Sequence, residues 1–195
     1  MAATDRTAPH GALAQPSAWV VRFAPLVPAG EVLDLACGSG RHSRLFAATG
    51  HPVLAVDRRP EALAEAAGDG ITTLELDLES AEQAARWPFA SGRFAGIVVT
   101  NYLFRPLMAA LADALAPGGV LIYETFAHGN EQFGKPSNPD FLLAPGELLE
   151  LARRQALGVV AYEHGYVERP KPAMVQRLCA IKDAGKMDTT RTRLD

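Results

Sequence analysis

Apolar runs of strand length alternate with stretches of helical period between Ser17 and Ile181, a pattern that predicts an α/β domain built on a parallel sheet. Ser17 can cap a first helix whose apolar face is Trp19, Val20, Phe23 and Ala24 and which stops near Pro25. Residues 31–36 read as the first strand, followed by a Cys-Gly-Ser-Gly turn and a helix from 41 to about 49. Residues 52–56 form the second strand, ended by Asp57. The helix over 60–67 starts on Pro60, whose missing amide hydrogen costs nothing there. A third strand covers 71–76 and ends at Asp77; a fourth covers 94–100 around Ile97, Val98 and Val99. A helix over 106–115 is stopped by Pro117-Gly118-Gly119, and a fifth strand follows at 120–123. The helix over 145–155 carries Leu148, Leu149, Leu151 and Ala152 on one side. Strands at 159–166 and 174–181 close the chain. The proline-containing turn between them is too short for a helix, so they pair antiparallel. Residues 1–16 and 184–195 read as loose ends around one domain, 17–183, with no internal repeat.

Composition narrows the partners. A chain of 195 residues suits one domain with a substantial core. Its net charge of -3, from 19 basic and 22 acidic residues, gives no reason to expect nucleic acid or an anionic membrane. Small molecules are therefore the expected partner class. There is no apolar run long enough for a membrane span and no signal-type apolar core near Met1. Cys37 and Cys179 make neither a disulfide framework nor a zinc set, so no metal is expected, and a reducing, cytoplasmic location suits them.

The chemistry concentrates at the strand ends. Asp34 lies near the end of the first strand, and Gly38-Ser39-Gly40 turns the chain into a helix, with glycine permitting a close approach of backbone to ligand. Asp57 ends the second strand, where an acid can accept hydrogen bonds from both hydroxyls of a ribose; Asp77 ends the third, beside the expected place of a base. A dinucleotide enzyme would show a third glycine where this chain has Ser43, and would keep bulk away from the helix start, here filled by Arg41 and His42. The pattern favours a ligand without phosphates. S-adenosylmethionine is one, with a zwitterionic end that Asp34 or its neighbours can hold.

Five segments in order carry a family resemblance over residues 31–126. VLDLACGSGRHS resembles motif I of class I S-adenosylmethionine-dependent methyltransferases, VDRRPEAL motif II and LDLES motif III. Pro88-Phe89 with FAGIVVTNYL is similar to the motif IV strand, and LAPGGVLIYETF to the strand preceded by its LxPGG turn. The resemblance is greatest to the small, single-domain enzymes of the tellurite-resistance and thiopurine type. It implies a Rossmann-like, doubly wound sheet of seven strands in the order 3-2-1-4-5-7-6, with the last antiparallel. It also implies S-adenosylmethionine as cofactor: its methionine end near Asp34, Ala36, Gly38 and Gly40, its ribose at Asp57, and its adenine near Arg58, Asp77 and Leu78. Asn101 is expected near the sulfonium. Many relatives carry Asp where this chain has Ala95, a change read as structural.

The acceptor side is less specific. A sulfonium is an activated methyl donor, so alignment supplies much of the rate, and a soft anionic acceptor needs no base, whereas an alcohol or protonated amine does. Tyr102, Glu124 and His128 are the candidates for that role. Residues 127–144 form a long aperiodic segment after the fifth strand. It reads either as a substrate cover using Asn130, Phe133, Gly134 and Lys135, or as an excursion packed by Phe133, Phe141 and Leu142. Trp19 and Phe23 are candidates for a pocket wall or for core. Arg22 and Arg105 are candidates for an anionic acceptor or for solvated surface. His42 can meet the cofactor carboxylate or be a polar first-turn residue, Trp87 can flank the adenine or pack in the core, and Cys37 reads as packing. Two other functions compete: a nicotinamide-dependent oxidoreductase, against which Ser43 and the lack of a Tyr-x-x-x-Lys pair speak, and a non-catalytic S-adenosylmethionine sensor or partner subunit.

Overall fold

β1 (Val32–Leu35) and β2 (Val53–Asp57) are buried at every position, because helices cover both faces of a parallel sheet and leave its central strands no water. In the computed structural model, which describes residues 15–79 and 87–183, α2 (Arg41–Ala48) joins these strands and α3 (Pro60–Ala66) leads on to β3 (Ile71–Glu75). β4 (Phe94–Thr100) is also buried throughout; α4 (Met108–Ala114) follows it after a 3-10 turn at Arg105–Leu107. β5 (Leu115–Phe126), α5 (Glu147–Arg154), β6 (Leu157–Val167) and β7 (Ala173–Lys182) complete the order. Ahead of them α1 (Ala18–Phe23) is capped by the Ser17 hydroxyl, which accepts from the Trp19 N–H. It tightens into a 3-10 turn at Ala24–Leu26, where Pro25 sits.

The sheet runs β3-β2-β1-β4-β5-β7-β6, with β7 antiparallel to both its neighbours and the other pairs parallel. This is the expected seven-stranded topology. Alternation divides the core. Leu33, Leu54, Ile97, Leu121 and Tyr123 pack with α4 and α5, while Val32, Val53, Val98, Val120 and Ile122 pack with α1 and α2. No helix of the described residues is long and apolar enough to cross a membrane.

Two details differ from the sequence expectation, and a third, Ala95, agrees with it. β5 starts at Leu115 rather than 120, because Leu115 already pairs with Phe94 across a bulge. Gly119 makes this possible: a Cβ there would lie 2.9 Å from the Phe94 carbonyl oxygen. Leu149 is exposed, since Leu148, Leu151 and Ala152 already fill the inward face of α5 and a neighbouring residue projects about 100° away. Ala95 packs at the start of β4, where a Cβ on Gly30 would meet its Cβ at 2.8 Å. Of the expected loose ends, 1–16 and 184–195, only Gln15 and Pro16 lie among the described residues.

Candidate functional site

The loop after β1 is built on left-handed backbone: Ala36, Gly38 and Gly40 have φ of 53°, 55° and 76°. That path turns the Gly38 N–H toward the end of β2, where it donates to Asp57 Oδ2 at 2.8 Å. The Arg59 N–H donates to Asp57 Oδ1 at 3.0 Å, and the Arg59 side chain lies beside the same oxygen. Asp57 is thus fixed by two backbone amides, with lone pairs left on each oxygen. Gly40 serves packing as well as conformation, because a Cβ there would lie 2.6 Å from Ala66 Cβ on α3.

Above these strand ends lies a cavity of about 330 Å³, near the lower limit of small-molecule pockets. Ala36, Asp57, Arg58, Asp77 and Leu78 line it, with Tyr102 and Glu79 closing one side. Five of the nine expected cofactor contacts therefore share one cavity. Gly38 and Gly40 shape its loop. Asp34 lies beneath: it is buried, accepts a 2.6 Å hydrogen bond from Ser43 Oγ, and is raised to about 6, chiefly by burial. Asn101 stands just past β4 with φ 55° and an exposed side chain. Ser43 is fully buried as the partner of Asp34, which gives the third-glycine position a structural task of its own.

The strand ends of β4 and β5 carry a second polar group. Arg41 approaches Thr100 Oγ1 at 3.4 Å and the Gln15 carbonyl at 3.3 Å. His42 is buried and accepts from the Ser17 N–H at Nε2, with Thr100 Oγ1 at 3.4 Å from Nδ1; burial, aided by Arg41, pushes its pKa down to about 3. It is therefore a neutral imidazole that ties α1 to α2 and β4. Ser17 Oγ donates to Glu124 Oε2, and Arg177 Nε donates to the same oxygen at 2.8 Å.

The three candidate bases do not converge. Tyr102 is on the cavity, its phenol pushed up by burial and then by Glu79 and Asp77. Glu124 is held by Ser17 and Arg177, and the His128 side chain is exposed beyond β5. The acceptor candidates are also dispersed. Trp19 is core, donating to the Leu178 carbonyl and lying edge-on to Phe23; Arg22 is on the surface, 3.9 Å from Glu163. Arg105 grips Glu147 with two hydrogen bonds of 2.6 and 2.9 Å and donates to the carbonyls of Asp140 and Leu142. Asn130 is buried, donating to the Pro136 carbonyl and accepting from the Met174 N–H. Phe133 is exposed, tilted against Tyr166 at 5.1 Å between ring centroids, and Lys135 is exposed.

The segment after β5 is packed, but by Leu142 and Leu143; Phe133 and Phe141 stay exposed. Trp87 lies edge-on to Phe89 beside the core. Among the described residues, no group of three or more His, Cys, Asp or Glu is placed to hold a metal ion. Arg59, Glu79 and the Asp34–Ser43 pair are parts of this region that the sequence expectation does not include. The carboxylate of Asp57 two residues before Arg59, and the missing third glycine at Ser43, were the available signals.

Comparison with known proteins supports the architecture. A methyltransferase-domain family profile matches residues 32–119. No curated protein matches the chain. An S-adenosylmethionine-dependent methyltransferase from Mesorhizobium loti is similar in structure, with TM-score 0.65 and 19% identity over 84% of this chain and 97% of that one. TehB from Haemophilus influenzae gives TM-score 0.67 and 20% identity, over 84% of this chain and 61% of that one. A geranyl diphosphate C-methyltransferase from Streptomyces coelicolor A3(2), solved with Mg2+, geranyl diphosphate and S-adenosylhomocysteine, gives 0.62 and 14%, over 84% and 79%. Residues 32–119 thus resemble a methyltransferase domain, and the chain has the Rossmann-like fold of these S-adenosylmethionine-dependent methyltransferases.

Proposed function

We propose that the protein transfers a methyl group from S-adenosylmethionine to a small-molecule acceptor in the cytoplasm. The observation that carries this reading is the anchored Asp57 carboxylate at the edge of a nucleoside-sized cavity over parallel strand ends. Asp57 accepts from the ribose hydroxyls. Asp77, Leu78 and Arg58 border the adenine, and the Gly38–Gly40 loop passes under the methionyl end, which runs toward Asn101. The cofactor supplies a methyl group already activated on sulfur. The chain orders it, and alignment with a soft anionic acceptor needs no base.

The scatter of Tyr102, Glu124 and His128 favours one second reading, a non-catalytic binder of the same cofactor. Calorimetry with S-adenosylmethionine, S-adenosylhomocysteine and NAD, followed by transfer of labelled methyl groups to a panel of small acceptors, tests both. Binding with transfer is the expected result. Binding without transfer to any acceptor favours the sensor, and preference for NAD overturns both.

A further inference from the structure

We propose that a second cavity, on the β6–β7 hairpin at the outer end of the sheet, binds a small zwitterion that carries an apolar side chain. It measures about 320 Å³, much like the first cavity and enough for a ligand of amino-acid size. Glu163, Gly165 and Val167 of β6 line it together with Val175 and Arg177 of β7. Glu163 lies opposite Arg177, Gly165 opposite Val175 and Val167 opposite Ala173, so these residues share one face of the hairpin.

Two kinds of surface meet on that face. Val167 and Val175 belong to an apolar cluster with Phe126 and Ala173, which supplies the floor. Gly165 leaves its own place on the floor empty, since a Cβ there would meet no atom within 4 Å. Its backbone is not left-handed, so neither conformation nor packing asks for glycine. A glycine inside a strand weakens pairing and often marks a place where a ligand comes close to the backbone.

The polar wall is an ion pair with one side open. Arg177 donates from Nε to Glu124 Oε2 at 2.8 Å and from Nη1 to Glu163 Oε2 at 2.9 Å. Among the described residues its Nη2 has no acceptor. Glu163 Oε1 has only Arg22 near it, at 3.9 Å, and the Glu163 side chain is half exposed. The cavity is thus offered guanidinium donors beside a carboxylate acceptor. A simple anion would meet Glu163 as a like charge, and a simple cation would meet Arg177. A ligand bearing both signs can lie antiparallel to the pair, its carboxylate on Arg177 and its ammonium on Glu163. Val167 and Val175 then take its apolar side chain.

Leucine is the probe, beside 4-methylpentanoate, which lacks the ammonium, and 3-methylbutylamine, which lacks the carboxylate. Each is titrated into wild type, Gly165→Leu and Glu163→Gln and followed by two-dimensional NMR. Excess S-adenosylhomocysteine keeps the probes out of the cofactor cavity. In wild type, leucine should shift the amides of residues 163–167 and 175–177 and bind at least about tenfold more tightly than either analogue. Gly165→Leu fills the empty place and should remove this binding while S-adenosylhomocysteine affinity stays unchanged. Glu163→Gln should bring leucine down to about the level of 4-methylpentanoate. It alters one exposed side chain and so guards against a folding defect in the Gly165 variant. Leucine that binds no better than its analogues, shifts confined to other residues, or unchanged binding in Gly165→Leu overturns the proposal. A wild type that binds leucine here but not S-adenosylhomocysteine would strike the cofactor reading and uphold this one.

Discussion

The two halves of the sheet's carboxyl edge use polarity in opposite ways. Over β1 to β4, Asp57, Arg58, Asp77 and Tyr102 face a cavity, and the backbone is held left-handed at Ala36, Gly38, Gly40 and Asn101. Over β5 to β7, the polar side chains bind one another. Arg105 grips Glu147 and two loop carbonyls, Gln176 joins the Ala144 carbonyl to Tyr162, and Arg177 bridges Glu124 and Glu163. The match to the methyltransferase-domain profile ends at residue 119, inside β5, and takes in the open half. Polar groups over the first four strands face a cavity, while those over the last three are fixed by their bonds to one another.

The sharpest way to break this contrast is Asp57→Ala. It removes the proposed ribose acceptor and the partner of the Gly38 N–H, so S-adenosylhomocysteine affinity should fall about 100-fold or more by calorimetry. Unchanged affinity would place the ligand elsewhere. In the other half, Arg105→Ala should do the reverse. Urea unfolding should show a loss of about 1–2 kcal/mol, because the carbonyls of Asp140 and Leu142 and the Glu147 carboxylate lose a shared donor. S-adenosylhomocysteine binding should stay unchanged; a parallel loss of both would make the halves one cooperative unit.

A smaller effect lies beneath the open half, where two buried groups oppose each other. Asp34 is raised from 3.8 to about 6, so its contribution to stability is full below about 4 and lost as pH rises through about 6. His42 is lowered from 6.5 to about 3, so its contribution is full above about 6.5 and lost as pH falls toward 3. Between about pH 4 and 6 the two slopes, each about 1.4 kcal/mol per pH unit, nearly cancel. Asp34→Asn should therefore lose stability on acidification over that range, and His42→Gln should gain it, as read by urea unfolding at both ends. Parallel slopes in the two variants would show that the pair does not compensate.

The strands were legible in the sequence because most apolar runs are bounded by Gly, Pro or Asp, and the Asp34 to Gly40 spacing marked the ligand-facing loop. The seven-strand order came from the resemblance, since period and length alone leave strand order open. What the chain order hid is long-range. Asp34 finds Ser43 nine residues on, Arg105 finds Asp140 and Glu147 across the 127–144 segment, and Leu115 pairs with Phe94 through a bulge that reads locally as a helix stop. Leu149 shows the same limit at short range, because four apolar residues in five do not say which one the core leaves out. Arg41 read as bulk at a helix start. Its approach to Thr100 Oγ1 exists only once the strand ends are brought together.

Gly40 and Ala66 meet nearly backbone to backbone, with a Cβ at 40 falling 2.8 Å from the Ala66 Cα. α2 follows the strand that leads into the glycine loop, and α3 follows the strand that ends at Asp57, so this contact sets how far apart the two loops can stand. The mouth of the cavity is thus gauged by two small residues that bear no polar side-chain atom and line no part of it. A methyl group added on either side would wedge the ligand's two supports apart from behind. Efforts to widen or reshape this pocket have a mechanical constraint at that seam as well as a chemical one at its lining.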